Sequence, residues 1–160
     1  MMKQVIEWTS QTKEETIRLG KFLSRYLFPG AILTLTGDLG AGKTTFAGGI
    51  AKGLQIQEDI SSPTFNILKC YFHGRIPFYH IDAYRLEEGT NKDIGLEEFI
   101  EGNGVCFIEW PHFIQEMIPE EPVMEIEIHH AGENQRTFVI KSDSERFAPF
   151  FHSWEEFLHV

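Results

Sequence analysis

The chain has 160 residues, 42% hydrophobic and 24% charged, which suits one compact domain with a real core and excludes disordered, collagen-like and coiled-coil classes. A formal net charge of −10 and a pI near 5.1 oppose the basic footprint of a protein that grips nucleic acid unaided. No apolar run is long enough to span a bilayer and MMKQVIEWTSQTKEE lacks the apolar stretch of a secretory signal, so the expected location is cytoplasmic, with no membrane partner.

In chain order, Val5 to Trp8 reads as a short strand, and Thr12 with Glu15 forms the T-x-x-E pattern of a capping box. Leu19, Phe22, Leu23, Tyr26 and Leu27 then recur at helical spacing until Pro29-Gly30 stops the helix. Ala31 to Thr36 is an apolar run of strand formers that leads into a glycine loop and a helix from Lys43 to about Leu54. Further strands are predicted over Asn66 to Phe72, Ile76 to Ile81 and Gly104 to Ile108, with acidic and polar connectors.

Val123 to His129 and Arg136 to Lys141 alternate apolar and polar residues around Ala131-Gly132-Glu133-Asn134, predicting an antiparallel hairpin at a sheet edge. From Ser144 the aromatic residues Phe147, Phe150, Phe151, Trp154 and Phe157 fall at helical spacing and are expected to dock on the core, a partner surface being the alternative. The whole predicts an α/β domain over residues 1–160: a mostly parallel central sheet flanked by helices, an antiparallel edge hairpin and an aromatic helical tail over 141–160. Cys70 and Cys106 have no CxxC or CxxH neighbour and read as small hydrophobes rather than metal ligands or a disulfide.

The chemistry is concentrated in Gly37-Asp38-Leu39-Gly40-Ala41-Gly42-Lys43-Thr44, a G-x-x-x-x-G-K-[ST] phosphate loop. Glycines let the backbone curl around a phosphate and aim consecutive N–H groups at it, and the helix that follows adds its positive end. Lys43 then reaches the β- and γ-phosphates and the Thr44 hydroxyl meets Mg²⁺. The strand before and the helix after supply the context the motif needs.

A P-loop enzyme also needs a carboxylate at the end of a neighbouring strand. Glu109 follows the apolar run Val105-Cys106-Phe107-Ile108, and Asp82 follows Phe78-Tyr79-His80-Ile81. One acid would serve the metal and the other would orient water; spacing does not assign the roles, and helix-capping or salt-bridging carboxylates are the plain alternative. Ser61-Ser62-Pro63-Thr64-Phe65 occupies the place of a γ-phosphate-sensing loop, with Thr64 its site residue, although Ser-Pro-Thr is equally an ordinary turn sequence. Arg85 is read either as a phosphate-steadying cation or as a surface ion-pair partner, and Trp110 as core or as a platform beside the site. The scattered histidines, His80 and His129-His130 among them, give no metal-site pattern.

The ordered set GDLGAGKTTF, SPTF, HIDAYRL, LEEF and VCFIEWP, spread over roughly Thr12 to Ile140, closely resembles the bacterial TsaE family, also called YjeE or YdiB. That resemblance implies a small P-loop ATPase of tRNA threonylcarbamoyladenosine synthesis that works with TsaD and TsaB, while TsaC makes the activated donor. It also implies that Asp38, Leu39, Gly40, Ala41, Gly42, Lys43, Thr44 and Thr45 hold ATP, and that Thr44 and Glu109 engage Mg²⁺. Asp82 would be needed for hydrolysis, Trp110 would support the site, and Thr12 and Arg136 would approach the base or ribose. Read from the residues alone, Thr12 is equally a helix cap and Arg136 an exposed edge-strand charge.

The acidic chain leaves tRNA to be held by the partners, and the want of an obvious cis arginine finger suits an ATPase that is slow alone. A small-molecule kinase is the competing enzyme class, although neither an arginine-rich lid nor an acceptor pocket is legible in the sequence. A nucleotide switch without hydrolysis is the third reading, against which Asp82 and Glu109 stand.

Overall fold

The computed structural model describes residues 3–38, 42–61, 67–86 and 95–159, and every side chain there except that of Arg85. The chain runs through β1 (Gln4–Ser10), α1 (Lys13–Ser24), β2 (Ile32–Gly37), α2 (Lys43–Gly53), β3 (Leu68–Tyr71) and β4 (Phe78–Asp82). It continues through α3 (Leu96–Ile100), β5 (Val105–Glu109), β6 (Val123–His130), β7 (Arg136–Ser142), α4 (Ala148–His152) and α5 (Trp154–Leu158). Short 3-10 turns at Ala83–Leu86, Pro111–Met117 and Glu145–Phe147 join these elements. Leu39, Gly40, Ala41 and Thr64, all expected at the nucleotide, lie outside the described residues.

The seven strands form one sheet in the order β1-β7-β6-β2-β5-β4-β3. Its middle, β6-β2-β5-β4, is parallel, and the flanks β1-β7-β6 and β4-β3 are antiparallel. The mixed α/β architecture with an antiparallel flank is thus the one expected from the sequence. The hairpin itself is not outermost: β1 pairs along the whole of β7, from Gln4 with Ser142 to Ser10 with Arg136. Its ladder satisfies the outer N–H and C=O groups of β7, which alternation alone leaves open.

Burial explains the strand sequences. Ile32, Leu33 and Leu35 of β2 are all buried, because a central parallel strand is covered on both faces and needs no alternation. In β6, Met124, Ile126 and Ile128 face the core while Glu125 and Glu127 face outward, as a half-covered antiparallel strand requires. On one face, α1, α2 and the tail pack on Leu33, Leu35, Phe107, Ile126 and Phe138. On the other, α3 and the 3-10 turns cover Ile32, Tyr79, Ile81, Cys106 and Ile108.

Helices α1 and α2 meet through glycines: a Cβ on Gly20 would lie 2.7 Å from the Ile50 amide nitrogen, so the backbones touch only because that position is bare. The tail docks as its aromatic spacing predicts. Phe147, Phe150 and Phe157 are buried, and Trp154 stacks on Phe157 at 4.8 Å. It is broken at Ser153 into α4 and α5. Helix α1 ends at Ser24, before Pro29, and α3 forms where a connector was expected. Cys106 is buried and Cys70 partly so. Among the described residues no helix is long and apolar enough to cross a membrane.

Candidate phosphate-binding site

Strand β2 delivers the chain to the loop through Gly37, whose φ of +123° is open to glycine and strained for other residues. A side chain there would also overlap the Ile128 carbonyl of β6. The next residue, Asp38, ties the loop entry to the end of that strand: its Oδ2 accepts the His130 N–H at 2.9 Å, and Oδ1 lies 3.5 Å from His129 Nδ1. The His130 amide bond is the main cause that holds the Asp38 carboxyl below its ordinary pKa. Past the undescribed stretch, Gly42 caps α2 in the left-handed region, with no side-chain cap on the first amides. Uncapped amides at a helix start are donors waiting for an anion.

Lys43 opens α2 and is only 7% exposed. Its Nζ lies 4.9 Å from the centroid of the Trp110 ring, a cation–π arrangement. Trp110 is therefore not a fully buried core residue: its ring lies against the Lys43 ammonium. It is half-buried, packs on Tyr84 at 5.2 Å, and holds the left-handed backbone (φ 58°) that turns the chain out of β5 into Pro111. Thr44 is exposed and Thr45 half-exposed at the start of α2.

The two acids come together. Parallel register pairs Asp82 of β4 with Glu109 of β5, and Glu109 with Leu35 of β2. Both residues therefore stand at the carboxyl ends of parallel strands, where open α/β sheets bind ligands, Glu109 on the strand next to the one that leads into the phosphate loop and Asp82 one strand further out. Each is the last residue of its strand rather than the first after it. Asp82 Oδ1 accepts the Tyr84 N–H at 3.1 Å, so it also caps the turn that follows. Glu109 is 8% exposed, and its Oε2 lies 2.6 Å from Nε2 of the fully buried His80.

Arg136 belongs to β7, an interior strand, which removes the edge-charge reading. Its Nη1 donates to the carbonyls of Gln135, Gly132 and Glu133 across the hairpin turn, and Nε would lie 3.8 Å from a Cβ on Gly42. The structure thus brings Arg136 beside Gly42 at the start of α2. Thr12 acts as the helix cap, its Oγ1 accepting the Glu15 N–H at 3.1 Å while Glu15 accepts the Gln11 N–H at 2.7 Å. Gln11 accepts a hydrogen bond from the Gln135 side-chain amide at 2.7 Å, which draws this segment to the hairpin turn. The Arg85 backbone follows Asp82 in the turn at Ala83–Leu86.

A cavity of about 350 Å³ opens beside Thr44 and Thr45, bounded by Lys13, Ile17, Gly48 and Glu58. A larger one, about 520 Å³, lies against the outward sheet face at Thr34, Glu125 and Glu127. The smaller one includes Thr44 and Thr45 of the phosphate-loop motif in its lining. His80 is the residue that sequence reasoning missed. Two-residue alternation puts it on the same face of β4 as Asp82, which was a usable signal, but only the β4–β5 register places it against Glu109.

Residues 10–138 match the family model described as threonylcarbamoyl adenosine biosynthesis protein TsaE. The tRNA threonylcarbamoyladenosine biosynthesis protein TsaE of Bacillus subtilis is 44% identical over 146 residues, covering 91% of this chain and 90% of that protein. Its namesake in Treponema pallidum is 45% identical over 115 residues, covering 71% and 84%. The crystal structure of Bacillus subtilis YdiB superposes with a TM-score of 0.79 at 36% identity, covering 99% of this chain and 97% of that one. With its P-loop flanked by paired acids and its motifs matched along most of its length, the chain belongs to the TsaE family.

Proposed function

We propose that this chain is a Mg²⁺-dependent P-loop ATPase required for N6-threonylcarbamoyladenosine modification of tRNA, acting with TsaD and TsaB. The observation that carries the reading is the pairing of Asp82 with Glu109 at the carboxyl end of the sheet, beside the strand that enters the phosphate loop. Lys43 binds the β- and γ-phosphates, and the α2 amides add donors that need no rearrangement. Asp82 orients the attacking water in line with the γ-phosphorus, giving ADP and phosphate.

The residues present fit Mg²⁺. Thr44 and Glu109 offer one hydroxyl and one carboxylate oxygen, and a hard cation that keeps its waters takes one or two such ligands plus phosphate oxygens. When bound, such an ion would neutralise charge that develops on the phosphate oxygens during transfer. Turnover is slow in isolation and rises when TsaD–TsaB completes the site; TsaC supplies the activated donor. The net charge of −10 leaves the tRNA to the partners.

Reconstitution of the modified nucleoside with wild type and Glu109→Ala tests this. The variant should abolish both Mg²⁺-dependent phosphate release and modification. Full modification by Glu109→Ala, or a phosphorylated small molecule as the product, would defeat the reading.

A further inference from the structure

We infer that His80 is a positioning residue that fixes the Glu109 carboxylate for the divalent ion, an inference that rests on the Mg²⁺–ATP reading of the site. His80 is completely buried, and its Nε2 lies 2.6 Å from Glu109 Oε2, a short charge-assisted distance. As a carboxylate Glu109 accepts, so Nε2 carries the proton, and Oε1 is left for the cation.

The sheet register builds this contact. His80 is paired with Phe107, one pleat below the Asp82–Glu109 pair, so its imidazole lies under Glu109 on the same face. Phe107 meets the imidazole edge-on at 5.0 Å, and Phe78 lies 6.3 Å away. In this aromatic wall a phenyl ring would fill the space without polar cost.

The imidazole instead brings a second nitrogen, Nδ1, which is buried and has no hydrogen-bond partner among the described residues. An orphan of that kind carries a desolvation cost, so packing does not account for a histidine here. The bond from Nε2 does. It restrains one oxygen of a flexible glutamate at the point where the strand ends, as outer hydrogen bonds orient metal-binding carboxylates elsewhere.

The test compares His80→Phe, which keeps the ring packing and removes the donor, with His80→Gln, whose amide nitrogen replaces Nε2. Mn²⁺ stands in for Mg²⁺, and its affinity for the protein–ADP complex is read by electron paramagnetic resonance, apart from turnover. His80→Phe should weaken Mn²⁺ binding roughly tenfold, the lower end for loss of an orienting partner, with its melting temperature held or raised. His80→Gln should recover most of that loss.

Wild-type Mn²⁺ affinity in His80→Phe overturns the inference, as does an equal loss in both variants, which would mark a merely structural tie between β4 and β5. Glu109→Gln is the control. If it leaves Mn²⁺ affinity unchanged, the metal reading of Glu109 falls and takes the role of His80 with it; if it weakens binding while His80→Phe does not, the role of His80 alone fails.

Discussion

Replacing Lys43 by methionine measures what the phosphate loop gains from its ammonium. In this structure Nζ sits 4.9 Å from the Trp110 ring, so the lysine is already partnered before any phosphate arrives. A cation–π contact is worth about 0.5–2 kcal/mol. A hydrogen bond to a charged group is worth about 1.5–3 kcal/mol. The phosphate therefore wins, by roughly 1 kcal/mol, and the lysine leaves the ring on binding. Lys43→Met should then weaken Mg²⁺–ATP binding only about fivefold where Trp110 is present. In a Trp110→Leu background, where no ring competes, the same change should cost the full contact, about 10–150-fold. Isothermal titration of the four proteins closes the cycle. Equal losses in both backgrounds would refute the competition between ring and phosphate, and an unchanged Kd throughout would refute phosphate binding by Lys43.

Phe157→Ala should destabilise the fold by about 3–5 kcal/mol in urea melts, since the ring is buried against Trp8, Phe22 and Trp154 and lies under the Arg18 guanidinium at 3.9 Å. Gly20→Val should lower the melting temperature by several degrees in calorimetry, because overpacking at the α1–α2 contact costs about 1–3 kcal/mol. The Asp38 anchor should be intact at neutral pH and released as the pH falls through the lowered carboxyl pKa, because a depressed pKa stabilises the ionised folded form. The His130 amide shift in NMR should accordingly titrate below the ordinary aspartate value of 3.8. Cys106, pushed up to about 12 by burial, should resist iodoacetamide at pH 8 until urea exposes it, as peptide mass spectrometry would show.

The elements of the candidate site were legible in the residues because each has a local cause. Glycines and Lys43-Thr44 after an apolar run specify a phosphate loop; Val105 to Ile108 followed by Glu109 specifies a buried strand ending on an acid; Thr12 and Glu15 specify a helix start, realised in the cap at 3.1 Å. The same locality made the aromatic spacing of the tail readable. What remained hidden was everything set by pairing between distant segments. Nothing near Gln4–Ser10 announces that it covers the outside of β7, and nothing near His80 announces that Glu109, twenty-nine residues on, stands 2.6 Å away. Strand order and register arise from which faces the core buries together. Only the folded sheet therefore decided that Asp82 and Glu109 are neighbours, that Lys43 rests on Trp110, and that Arg136 lies beside Gly42.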